Sequence, residues 1–168
     1  FAKSPVSIMA VSGDVALYSS RAQKWTVASE GMALGKNDIV RADAASQIDI
    51  SVSGLYTVRL KDNAELKVLA MLPRFRKGLA SYEVNKGEAL IDIKEVFRGS
   101  QFKVYTPQAV ATALGTSFAL SVSGKERVDK TRLAVLKGAV EVESFAAKDK
   151  KVIVRAGQKT EVSYGQAP

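Results

Sequence analysis

Gly87-Glu88-Ala89-Leu90-Ile91 opens on a glycine and then sets Ala89 and Ile91 two positions apart. The same cadence returns as Gly13-Asp14-Val15-Ala16-Leu17 and as Gly138-Ala139-Val140-Glu141-Val142. A period of two sends successive side chains to opposite faces, so each stretch reads as a strand with one buried side. The cadence continues outward in both directions. Ile48, Ile50 and Val52 alternate with Gln47, Asp49 and Ser51, and Tyr56-Thr57-Val58-Arg59-Leu60 and Leu66-Lys67-Val68 follow. Further on, Phe102 and Val104 alternate with Lys103 and Tyr105, and Phe118, Leu120 and Val122 with Ala119 and Ser121. Leu133, Val135, Val152, Val154 and Val162 complete the pattern.

About sixteen such runs are broken every eight to twelve residues or so by Gly, Asn, Asp or Ser. The breaks predict turns at Gly13-Asp14, Ser53-Gly54, Asp62-Asn63 and Asn85-Lys86-Gly87. Short links of this kind favour a meander of antiparallel neighbours or a solenoid-like winding. Helix signals are weak: no window keeps apolar residues at i, i+3, i+4 and i+7 with a cap before and a glycine after. Ser144 to Lys151 is long enough for a turn or two. The expected fold is all-β, with many short strands in two facing sheets or an irregular β-helix, and little or no helix. It spans residues 1–168 as one unit, with Pro73 to Leu79 as a long loop.

At 168 residues and 46% hydrophobic content the chain is long enough for a real core, and folding at this size hides about 70% of the unfolded chain's surface. The apolar run Val68–Leu72 is stopped by Pro73, far short of the ~20 residues of a membrane helix. No charged-then-apolar leader follows Phe1, so no signal or anchor segment is visible. The absence of cysteine suits an exported chain without disulfides and a cytosolic one equally. A net charge of +8, from 25 Lys/Arg against 17 Asp/Glu, favours solubility and attracts anionic surfaces, phosphates and acidic proteins.

The chain contains neither histidine nor cysteine. That excludes Ser/His/Asp and Cys/His catalysis and removes the usual zinc ligands. Gly13, Gly31 and Gly35 do not have the spacing of a phosphate-binding loop. Asp49, Asp92, Glu95 and Glu141 could be paired for glycoside hydrolysis, but at alternate strand positions they read as a solvated face. Asp38, Asp43 and Asp62-Asn63 lack EF-hand spacing. No catalytic residue, cofactor or metal is expected.

Two basic stretches stand out instead. Arg74-Phe75-Arg76-Lys77 sets three cations around an aromatic, and Phe97-Arg98 echoes it. Guanidinium and ammonium groups so arranged suit phosphate or carboxylate, with the ring packing on the partner. The competing reading is a charged loop tip that keeps edge strands from pairing. Lys148, Lys150 and Lys151 form another cluster. Nothing resembles an aromatic platform for nucleic acid.

Taken together in order, these motifs resemble the FecR-type domain, the extracytoplasmic module of ferric-citrate-regulator-like proteins. The leading block is Gly13-Asp14-Val15, then Trp25, then Leu34-Gly35-Lys36-Asn37-Asp38 and Val40-Arg41, with Ala42 where the family favours threonine. The middle block is Gly87, Phe102-Lys103-Val104-Tyr105-Thr106-Pro107-Gln108-Ala109 and Gly115-Thr116-Ser117-Phe118. The closing block is Val135-Leu136-Lys137-Gly138-Ala139-Val140-Glu141-Val142 and Ala156-Gly157-Gln158. The resemblance runs over roughly residues 6–162.

Physically these positions read as architecture. Pro107 cannot donate to a ladder, so Thr106-Pro107 marks a strand end or crossover. Gly115 suggests a positive φ or a close backbone approach, and Phe102 and Phe118 read as core aromatics. The resemblance implies a non-enzymatic module, periplasmic or at the cell surface, that signals to an anti-sigma region through a protein partner, with strand addition at an exposed edge as the mode. The alternative is an envelope module gripping an anionic cell-wall polymer through Arg74, Arg76, Lys77 and Arg98. Neither reading involves nucleic acid or a membrane span in this chain.

Overall fold

The computed structural model describes every residue except 1–5, 53–54, 72–77, 95–98, 114, 124–128 and 166–167. It is all-β: fourteen strands join one continuous hydrogen-bonded sheet, and no helix occurs among the described residues. In chain order the first seven are β1 (Val6–Ser12), β2 (Val15–Ser19), β3 (Lys24–Val27), β4 (Ile39–Ala42), β5 (Gln47–Val52), β6 (Tyr56–Ala70) and β7 (Leu79–Ile93). The rest are β8 (Gln101–Tyr105), β9 (Ala109–Ala113), β10 (Ser117–Ser123), β11 (Lys130–Lys137), β12 (Ala139–Ser144), β13 (Ala147–Arg155) and β14 (Lys159–Ser163).

Two of the expected turns are not turns. Asp62-Asn63 lies inside β6, and Asn85-Lys86-Gly87 lies inside β7. Each of these 15-residue strands therefore merges two of the runs read separately from the sequence. The chain needs a sharp bend at both places, and residues that favour turns also supply it. Asp62 and Asn63 take φ of 33° and 61°, and Gly87 takes 82°. The β6–β7 pairing skips register between Lys61 and Glu65 at the same place.

The bend divides the sheet into two halves that share β6 and β7. In the first, β1, β5, the start of β6, the end of β7, β10, β11 and β14 pair in that order. In the second, β3, β2, β4, the end of β6, the start of β7, β8, β9, β12 and β13 pair in that order. The β7–β8 pair is parallel and the others are antiparallel. The Gly13-Asp14 link also departs from a hairpin, because β1 pairs with β5 while β2 pairs with β3 and β4. All three glycine-led stretches sit where the chain passes between halves: Gly13 between β1 and β2, Gly87 within β7, and Gly138 between β11 and β12.

The halves face each other. Tyr82 is in register with Val68, twelve positions along β6 from Tyr56, about 40 Å in a straight strand. The Tyr56 and Tyr82 hydroxyls are nevertheless hydrogen-bonded. The Tyr56 ring also lies edge-on to Phe102, centroids 4.9 Å apart. The sheet is therefore folded over on itself, and of the expected alternatives it takes the facing layers. The enclosed core holds Ile8, Leu17, Leu34, Val40, Ile50, Leu66, Phe102, Phe118 and Leu133, all buried. A second tie crosses the layers: the Thr131 hydroxyl on β11 lies 2.7 Å from both Thr106 Oγ1 and Gln108 Oε1.

Candidate interaction edge

A folded-over open sheet has free edges, and each exposes unpaired N–H and C=O groups unless something covers it. In the first half β1 is covered. Ile8 N–H donates to the Met32 carbonyl at 2.9 Å, Gly31 N–H to the Ile8 carbonyl at 2.9 Å, and Leu34 N–H to the Val6 carbonyl at 3.0 Å. The opposite edge, β14, is short and carries exposed Lys159 and Glu161. In the second half β13 carries exposed Lys148, Asp149, Lys150 and Lys151. Charges of this kind, lysine above all, are the usual protection against unwanted pairing.

The fourth edge, β3, is different. It pairs with β2 on one side, and all four of its residues, Lys24-Trp25-Thr26-Val27, are exposed. Trp25 is 43% exposed and Val27 80%. Alternate residues of an antiparallel edge turn their polar groups toward the neighbour. Ala28 N–H bonds the Val15 carbonyl at 2.9 Å, so Thr26 and Lys24 also face β2. The N–H and C=O of Trp25 and Val27 then point away from the sheet.

The side chains of Trp25 and Val27 lie on the outer face, in register with Tyr18 and Ala16 of β2. Arg41 of β4 is in register with Ala16 and reaches the same patch. Its guanidinium carbon lies 4.7 Å from the Trp25 ring centroid, a cation–π arrangement. Its Nε and Nη2 both donate to one oxygen of Glu65, at 2.9 and 2.7 Å. Tyr18 packs against the indole with centroids 5.4 Å apart. Glu65 and Arg41 hold one side of the indole, and the open backbone edge adjoins it.

The loop entering β4 is held by a buried carboxylate. Asp38 Oδ1 accepts from Ser20 N–H at 2.8 Å and from the Ser20 hydroxyl at 3.0 Å, while Oδ2 accepts from Gly35 N–H at 2.7 Å. Leu34 is buried beside it. The stretch Leu34-Gly35-Lys36-Asn37-Asp38 is thus a self-bonded turn that places Val40 inward and Arg41 outward.

The sequence-derived positions distribute as follows. Phe102, Phe118, Thr106 and Thr116 are buried, Thr106-Pro107 forms the β8–β9 connection, and Gly87, Gly115, Gly138 and Gly157 all have positive φ. Thr106-Pro107 is therefore a strand end in a hairpin, since β8 and β9 pair antiparallel. Arg74, Phe75, Arg76, Lys77, Phe97 and Arg98 lie outside the described residues, as do Ser53-Gly54 and Glu95. The residues that follow the two basic stretches are adjacent: Gly78 N–H donates to Ser100 Oγ at 3.2 Å, and Gln101 N–H to the Gly78 carbonyl at 3.0 Å.

The carboxylates weighed for catalysis are dispersed and engaged. Asp49 pairs with Arg59 at 2.7 Å, Asp92 accepts from the Ser117 hydroxyl, and Glu141 pairs with Lys151 at 3.2 Å. Among the described residues no group of three acidic, histidine or cysteine side chains could hold a metal ion. Ser144–Lys151 is the β12–β13 turn and the start of β13, with no helical turn.

One further concavity, of about 640 Å³, lies on the outer face of the first half. Its floor includes Leu90, Ala119 and Ala134, which stand in register across β7, β10 and β11. Lys61, Glu88, Arg132 and Glu161 wall it. Hydrogen bonds from Arg132, and then from Lys130, hold the Glu161 carboxyl below the usual range. Both signs of charge line this trough, so its field selects no single class of ligand.

The FecR protein family matches this sequence over residues 38–141, from the carboxylate that closes the β4 turn to the middle of β12. The chain belongs to the FecR family. Arg41 lies within the matched segment, and Trp25, which it covers, lies before it. Among solved structures, two of a provisionally assigned anti-sigma factor from Parabacteroides distasonis share the FecR chain's fold at a TM-score of 0.62. Each is 18% identical to it, and the alignment covers 77% of this chain and 56% or 57% of theirs. The chain thus spans little more than half the length of those structures. No curated protein matches it. At 18% identity the likeness to those solved structures is one of fold.

No described helix is long and apolar enough to cross a membrane. The exposed tryptophan was legible as a motif position, but its pairing with Arg41 was not. The available signal was Lys24-Trp25-Thr26-Val27 itself, a strand of four between polar loops.

Proposed function

We propose that this chain is the non-enzymatic, extracytoplasmic interaction module of an envelope signalling protein, acting on an anti-sigma region, and that it receives a protein partner by strand addition at β3. The observation that carries this reading is the contrast among the edges. β1 is capped, β13 and β14 each carry two or more exposed charges, and β3, whose one charge is Lys24 at its start, offers the outward polar groups of Trp25 and Val27 beside an exposed indole. A partner strand there gains main-chain hydrogen bonds for affinity and the Trp25 and Val27 side chains for selectivity. FecR membership supports the regulatory role, and the composition, without histidine or cysteine, supports the absence of catalysis.

Val27→Pro tests the reading. Proline at an outward-facing edge position removes the N–H a partner would use and leaves the β2 ladder intact. In the native host, this variant of the full-length protein should shift transcription of the same sigma-dependent genes as deletion of the domain. Its circular-dichroism spectrum should stay that of the parent. A properly folded Val27→Pro protein with parental transcription would overturn the assignment of β3.

A further inference from the structure

We infer, resting on that reading, that the segment taken up at β3 is an extended one in which apolar or aromatic residues alternate with Asp or Glu. The two faces of β3 differ. Trp25 and Val27 lie on the outer face with Tyr18, and Lys24 and Thr26 project to the other. A strand laid beside β3 has the same period of two. Its outer residues therefore meet an indole and a valine, and its inner residues meet an ammonium group and a hydroxyl. Apolar side chains match the first set and carboxylates the second.

The surrounding charge points the same way. Arg21 and Lys24 are exposed at and just before the strand, and Lys36 is exposed in the loop before β4. Two of the acids nearby are committed: Glu65 is bound by Arg41, and Asp38 is buried under Ser20 and Gly35. Glu30, in the loop that leaves β3 for the β1 edge, and Asp14, just before β2, are exposed, and both lie toward the Val27 end, away from Lys24. A net charge of +8 adds a long-range field of the same sign. A lysine-bearing strand would meet like charge at the edge, where opposite charges steer association and reject wrong partners.

Trp25 is the chain's one tryptophan, so its fluorescence reports this edge alone. The probes are three synthetic peptides: alternating Glu with Tyr and Val, the same with Lys for Glu, and the acidic composition with its carboxylates in one block. The alternating acidic peptide should shift Trp25 emission and the Trp25 and Val27 amide resonances, and bind about tenfold tighter than the lysine peptide at low salt. The blocked peptide should bind more weakly than the alternating one.

Equal binding of the acidic and lysine peptides would overturn the charge assignment and leave strand addition standing. Equal binding of the blocked and alternating peptides would overturn the alternation. No binding by any of them would overturn the inference even if Val27→Pro alters transcription in the host. Full binding of the acidic peptide to Val27→Pro would sink strand addition itself.

Discussion

Gly87 and Ala64 meet backbone to backbone at the crease of the sheet. A Cβ on Gly87 would fall 2.3 Å from the Ala64 Cα and 2.5 Å from its nitrogen. That approach lets β6 and β7 leave one half together and enter the other without breaking their pairing. Gly13 and Gly138 do related work, with Ser46 and Thr116 side-chain atoms 2.5 and 2.7 Å from the corresponding positions.

Gly87→Ala should therefore be among the most damaging single substitutions. The left-handed backbone costs about 1–2 kcal/mol for a residue with a Cβ, and overpacking against a main chain that cannot yield adds about 1–3 kcal/mol. Gly157 has the same φ of 82° but nothing within 4 Å of its added Cβ. Gly157→Ala should show the backbone cost alone. Urea denaturation of both variants checks this, and equal losses would refute the crease contact.

The buried tyrosine pair makes the protein sensitive to alkali. Burial raises the Tyr56 hydroxyl from 10.0 to about 12, partly offset by its bond to Tyr82. Burial, then the neighbouring Tyr56, pushes Tyr82 well above 10.0. Both folded values exceed the unfolded one, so the stability is fully present below pH 10 and is lost as pH rises toward the folded values. Each tyrosine contributes a slope of up to about 1.4 kcal/mol per pH unit there. Denaturant titrations from pH 9 upward should show this fall, and the double variant Tyr56→Phe, Tyr82→Phe should flatten it.

Asp38 supports the interaction edge from beneath, because its carboxylate accepts three hydrogen bonds while 6% exposed. Asp38→Asn turns an NH2 group toward a donor whichever way the amide is placed. A lost hydrogen bond to a charged group costs about 1.5–3 kcal/mol. The variant should lose that much in urea, and the Trp25 emission should shift as the β4 entry loosens. Unchanged stability would show that the loop is held by other contacts.

Period two was enough to find the strands, because a half-buried strand writes its burial directly into alternate residues. It was not enough to pair them. Nothing in Val6–Ser12 says that its neighbour is Gln47–Val52 and not the strand two residues away. Asp62-Asn63 and Asn85-Lys86-Gly87 were misread for a physical reason. A residue that tolerates positive φ serves a bend within a long strand as well as a reversal between two short ones. The interaction edge was hidden differently: Trp25 and Arg41 are far apart in sequence and meet only through the order β3-β2-β4.

Thr131 offers a last test, since its hydroxyl ties β11 to the β8–β9 turn across the core. Gln108 Oε1 can only accept, so the Thr131 hydroxyl donates to it, and Thr106 Oγ1 lies 2.7 Å from the same hydroxyl. Thr106 Oγ1 in turn accepts from Ala109 N–H at 3.1 Å and lies 3.3 Å from Gln108 N–H, which closes the turn around Pro107. Thr131→Val keeps the volume but leaves the buried Gln108 oxygen without its donor, at a cost of about 1–3 kcal/mol. Replacing Gln108 as well, as Thr131→Val with Gln108→Leu, removes the orphaned group and should recover part of the loss. Urea denaturation of the single and double variants reads the difference. A double variant as unstable as the sum of its parts would mean that the two side chains act independently.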